Sequence, residues 1–322
     1  MIAGAATLVT CGMLGMAQAA AQAQVRQPGQ VTAASPPAGE GPSMAYDAAT
    51  RKVVLFDAGQ TWTWGGSAWT ERTPTTSPPD LFNASMAYDA ATRTVVLFGG
   101  SEPHHSGALN QTWTWNGSAW TKQTPATSPP ARGLASMAYD AATRTVVLFG
   151  GQGNGARNDT WTWNGANWTK QTPATRPTKR LGASMAYDAA TRKVVLFAGR
   201  TFRNAILLND TWTWNGRNWA RQTPATSPGA RQLASMAYDA ATQQVVLFGG
   251  FDNESPLGDT WTWNGRNWAR QTPATSPPGR DGAPMAYDAA DQQVVLFGGV
   301  GNDVRLNDTW TWNGATWAKR SP

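Results

Sequence analysis

Asp159 to Gly165 reads DTWTWNG, and the same seven letters return at Asp210 to Gly216, Asp259 to Gly265 and Asp308 to Gly314. Two altered copies, QTWTWGG and QTWTWNG, begin at Gln60 and Gln111. Alternation of Thr and Trp places Trp161 and Trp163 on one face of a strand, because successive side chains point to opposite sides. The Asn164-Gly165 pair that follows is a strong hairpin signal. One phrase therefore encodes a strand and the turn out of it, six times over.

Working outward, MAYDAA or its near copy begins at Met44, Met86, Met137, Met185, Met236 and Met285, at spacings of 42, 51, 48, 51 and 49 residues. Such a period belongs to propellers, solenoids and arrays. The third unit divides at its turn signals into four segments. Ser136 to Asp140 precedes a turn that the Asp140 side chain can set. Thr145 to Gly151 is β-branched and continuously apolar, as in a strand covered on both faces. Then come DTWTWN and NWTKQTP, with Pro173 ending the ladder. Four antiparallel strands repeated six times, with no helix signal after residue 24, predict an all-β, six-bladed β-propeller.

The Gly pair closing strand two, the Asn-Asp before strand three, two aromatics spaced by two and a later Trp resemble Kelch repeats. From Ser43 to Pro322 the units look like the central domain of galactose oxidase, in a bacterial secreted form. The resemblance implies a propeller with the first strand innermost; it leaves function open, because one fold hosts many activities. Blades are expected to start near Ser43, Ser85, Ser136, Ser184, Ser235 and Pro284. No Trp precedes Ser43 where a strand four would need one, so each blade is expected to come from one repeat. The ring should then close by side-chain packing between blades one and six. All 18 Trp fall on three positions per unit, as packing between blades would require.

Residues 1–23 are apolar and small, end in Ala-x-Ala and read as a secretory signal peptide, although no Lys or Arg precedes Arg26. Residues 24–42 read as a linker. Lipid anchoring at Cys11, the only cysteine, is the minor alternative. No other apolar run approaches the ~20 residues that span a bilayer. The 26 basic residues contain no run of five or six, so the net charge of +6 does not indicate nucleic-acid binding. A monomer is expected.

In such a blade, the one-to-two and three-to-four turns share one side, which is nearly uniform between units. The two-to-three and four-to-one loops share the other, where the sequence varies, so function is expected there. Arg132, Arg180, Arg231 and Arg280 lie five positions before the Met of strand one, where units one and two have Gly39 and Leu81. Two readings stand: the four ring the channel mouth and attract carboxylate or sulfate, or each caps carbonyls within its own loop. Lys179, Arg157, Arg200, Arg203 and Arg305 would extend a basic patch, with Phe202 and Phe251 adding apolar contact.

Catalytic, metal-binding and cofactor residues are not assigned. A copper-radical oxidase is argued against, because the only histidines are the adjacent His104 and His105 and no cysteine follows Cys11. The leading expectation is a secreted, non-enzymatic module binding a protein or acidic glycan. The alternatives are a Kelch-type lyase, epimerase or glycan-processing enzyme at the channel mouth, and a purely structural surface repeat.

Overall fold

The computed structural model describes residues 35–39, 41–103 and 107–321. The expected signal peptide, most of the linker, and His104 and His105 lie outside the described residues. Each MAYD segment pairs with the VVLF segment after it, and that in turn with TWTW and the last Trp strand. Blade one comprises Ser43–Asp47, Lys52–Asp57, Gln60–Trp64 and Trp69–Arg72. Blade three comprises Ser136–Asp140, Thr145–Phe149, Thr160–Trp163 and Trp168–Gln171. Six such antiparallel four-stranded sheets form the propeller, each in simple sequence order. Among the described residues, no strand passes from one terminus into the other's blade.

The core lies between blades. Strand two is buried on both faces, with Val146, Val147, Leu148 and Phe149 no more than 1% exposed. Ala138, Val147 and Phe149 of blade three pack with Met185, Val194, Leu196, Trp214 and Trp219 of blade four. Within a blade, Trp163 sits directly across from Trp168. The last Trp of each blade donates its indole N–H to the first strand-three Thr of the blade before: Trp120 to Thr61, Trp168 to Thr112, Trp219 to Thr160, Trp268 to Thr211 and Trp317 to Thr260. Trp69 closes the circle onto Thr309 of blade six at 2.8 Å.

A second circle surrounds the channel. Ser43, Ser85, Ser136, Ser184 and Ser235 each donate a hydroxyl to an Ala carbonyl of the next blade. Blade six has Pro284 at this position; its first strand starts one residue later, at Met285.

The NG of the repeated phrase also joins blades. Gly216 has φ +90°, and a Cβ there would lie 2.5 Å from Thr143 Cγ2 on the preceding blade's one-to-two turn. The hairpin of one blade therefore rests on the turn of its neighbour, which keeps this side of the molecule uniform. Gly216→Ala combines backbone strain with a clash and is expected to cost about 1–3 kcal/mol in urea unfolding. Gly65, which replaces the Asn, has nothing within 4 Å of its Cβ position. Gly65→Asn should leave the unfolding midpoint unchanged or raise it.

Candidate ligand-binding face

Arg132, Arg180, Arg231 and Arg280 stand on the four-to-one loops as expected, but they are 0–2% exposed. This corrects the expectation of an open ring of guanidinium groups. Arg132 makes a two-pronged pair with Asp159, at 2.7 and 2.8 Å, and also donates to the carbonyls of Gly150 and Pro130. Arg180 pairs likewise with Asp210, Arg231 with Asp259 and Arg280 with Asp308. Asp159 Oδ2 also accepts the Trp161 indole N–H at 2.8 Å. Burial works against ionisation of Asp159, but the Arg132 hydrogen bonds and charge and the Trp161 N–H outweigh it and hold the carboxyl below its usual range.

The backbone of each Arg is used as well. Arg180 N–H donates to the Arg157 carbonyl, and its own carbonyl accepts from Gly151, both on the loop of blade three. Its side chain grips blade four. Local carbonyl capping is therefore correct and incomplete: each Arg fastens two blades together through a buried ion pair. The variation between units follows the pair. Leu81 and Gly39 replace Arg where Gln111 and Gln60 replace Asp, and each Gln accepts the indole N–H of Trp113 or Trp62 in the carboxylate's stead.

Inside these pairs, a ring of left-handed residues edges the channel: Gly41, Asn83, Leu134, Gly182, Leu233 and Gly282. Asn83, Leu134, Gly182, Leu233 and Gly282 each donate a backbone N–H to the ring residue before it, at 2.8–3.1 Å. Two recesses open beside this ring. The larger, about 630 Å³, lies between the loops of blades two and three and is lined by Asn83, Ser101, Gln152, Asn154 and Arg157. The smaller, about 340 Å³, is lined by Asn83, Asp281, Asp303 and Arg305. Burial pushes the Asp281 carboxyl up.

Arg157 is the distinctive residue. Its N–H bonds to the Gly151 carbonyl as those of Leu109, Leu208 and Leu257 do to Gly100, Gly199 and Gly250, so it takes the place of a loop leucine. Its side chain is half-buried, and its Nε is buried without a hydrogen-bond acceptor among the described residues. The signal was present in the sequence: two residues before the Asp or Gln of strand three, only this one of the five long-loop units has a charge.

The remaining predicted site residues are dispersed. Lys179 and Arg203 are exposed, Arg200 and Phe251 are half-buried, and Phe202 is 43% exposed. None of these lines either recess, whereas Arg305 lines the smaller one. Among the described residues, no group of three His, Cys, Asp or Glu side chains comes together as metal ligands, and no helix is long and apolar enough to cross a membrane. Neither a family model nor a curated protein matches the chain.

Proposed function

We propose that the chain is a secreted Kelch-like propeller acting as a non-enzymatic binding module, which holds an acidic glycan or a protein through the loops of its varied face. The observation that carries this reading is Arg157, a cation standing where the other long loops have Leu, at the wall of a recess of ligand-binding size. A guanidinium there suits a carboxylate or sulfate. Gln152, Asn154 and Ser101 supply the amides and hydroxyl that sugar hydroxyls require. The four buried arginines take no part, since their donors are consumed by aspartates and carbonyls.

The test is binding of the full chain to an array of acidic glycans, beside Arg157→Leu. That substitution installs the residue of the other units, so the fold is expected to persist, as Trp fluorescence would verify. Losing a charged hydrogen bond worth about 1.5–3 kcal/mol should weaken binding roughly 10- to 100-fold. Equal binding by both proteins would place the ligand away from this recess, and binding by neither would favour a structural repeat.

The smaller recess supports the enzyme reading, because it sets Asp281 and Asp303 beside Arg305 at the channel mouth. Burial favours the protonated form of Asp281, the form a general acid requires. Turnover of an array-identified glycan, abolished by Asp281→Asn, would select that reading.

A further inference from the structure

The Asp that ends each first strand is buried but accepts backbone N–H groups of its own turn, whereas at the position of the Arg–Asp pairs charge is balanced in every blade but one. Blades three to six carry one buried Arg against one Asp, and blade two exchanges both for the uncharged Leu81 and Gln111. Blade one likewise has the uncharged Gly39 and Gln60, yet it adds Asp57 at the end of its second strand. Asp57 is 0% exposed, and neither carboxylate oxygen has a hydrogen-bond partner among the described residues. An isolated buried carboxylate is among the costliest features a protein can hold.

The surroundings explain why the chain itself supplies no side-chain donor from the usual loop position. An ideal Cβ at Gly39 would lie 1.7 Å from Asp57 Oδ2, so the carboxylate takes the ground where the other blades begin their arginine side chain. The loop is also cut short. Ala58 and Gly59, at φ +46° and +76°, form a two-residue hairpin turn in which Asp57 pairs with Gln60. That turn brings Gly59 onto the Asp80 backbone, its Cβ position 3.7 Å from the Asp80 Cα. Burial, followed by the charge of Asp80, pushes the Asp57 carboxyl up to about 6. At neutral pH it is still mostly ionised, and two negative charges share one corner of the varied face.

We propose that Asp57 anchors a binding site for a divalent cation, with Asp80 on the adjoining loop as the second carboxylate. Two carboxylates match the charge of such an ion. The donors are oxygen alone, which favours a hard cation of the calcium type, its remaining positions filled by carbonyls and water. The ion would complete in blade one the neutralisation that arginine performs in blades three to six, and would fasten the short hairpin to the loop entering blade two.

The experiment is thermal unfolding of the full chain, stripped with EDTA and then titrated with calcium chloride, with magnesium chloride in parallel and Trp fluorescence as readout. Binding to the folded state alone should raise the midpoint by several degrees at saturating calcium. Asp57→Asn should abolish the rise. Asp80→Asn, which leaves the buried group intact, should shift the calcium response to at least tenfold higher concentration. A wild-type midpoint indifferent to both cations would overturn the proposal, as would an undiminished rise in Asp57→Asn. So would a calcium-indifferent protein that gains stability between pH 7 and 5, for then a proton neutralises Asp57. A folded-state pKa above the unfolded one yields stability on acidification, lost as pH rises through about 6.

Discussion

Replacing Asp210 by Ala is expected to cost about 3–5 kcal/mol in urea unfolding, because it strands the Arg180 guanidinium, 0% exposed, without its carboxylate. The loss also removes the acceptor of the Trp212 indole N–H. The whole pair is a different matter from either half. Blade two already shows an uncharged solution, with Leu81 1% exposed in the Arg position and Gln111 accepting the indole N–H of Trp113 at 3.1 Å. Arg180→Leu with Asp210→Gln should therefore recover most of the stability lost by Asp210→Ala, since buried pairs are often replaced by packed uncharged groups at little cost. A double variant as unstable as the single one would mean that the pair is strongly favourable in itself.

The same four pairs fix an acid limit. Asp159, Asp210, Asp259 and Asp308 have folded-state carboxyls held below the usual range, against the opposing effect of burial. A depressed folded pKa gives stability that is complete above the unfolded value of about 3.9 and disappears as pH falls through the folded value. Unfolding midpoints should thus be insensitive to these four groups from pH 5 upward and drop steeply below about pH 4. The drop should be shallower in the Arg180→Leu, Asp210→Gln protein, which has one linked carboxylate fewer.

The architecture was legible because repetition makes the sequence its own alignment. The strands of unit three fall within the expected segments, the second stopping at Phe149 rather than Gly151 because Gly150 and Gly151 turn the chain at φ +69° and +90°. The Arg–Asp pairing was equally present: Arg132, Arg180, Arg231 and Arg280 occur only in units that also carry Asp159, Asp210, Asp259 and Asp308. Reading the Arg set and the Asp set separately hid it, and suggested an open cationic mouth where the interior is paired. Arg157 was visible by the same comparison. The recess it lines was not, because its walls come from loops of two blades, and loop paths have no period to read. Asp57 looked like a departure from a Gly pair; only its burial against Gly39 reveals a charge without a counterpart.

Trp69→Ala should destabilise the protein by about 3–5 kcal/mol, as truncation of a buried aromatic does, and should open it at one place. Trp69 is 4% exposed, donates to Thr309 Oγ1 at 2.8 Å and meets the ring of Phe297 edge-on at 5.3 Å. Trp219 holds the matching place between blades three and four, with Thr160 at 2.9 Å and Phe149 at 5.1 Å. The two interfaces differ in what remains after truncation. Blades three and four are still joined by the chain, by the Ser136 hydroxyl on the Ala183 carbonyl, and by the Thr175 hydroxyl on the Trp219 carbonyl. Blades six and one have no peptide connection, and Pro284 offers no hydroxyl where the other blades have Ser. Equal losses of global stability are therefore expected for Trp69→Ala and Trp219→Ala, but not equal local opening. Amide exchange in Trp69→Ala should rise first in Ser43–Asp47 and Met285–Asp288, the facing innermost strands of the seam, while Trp219→Ala should show no such confined region. Uniform exchange in both variants would mean that the six interfaces act as one cooperative ring, with the seam as strong as the interfaces that the chain crosses.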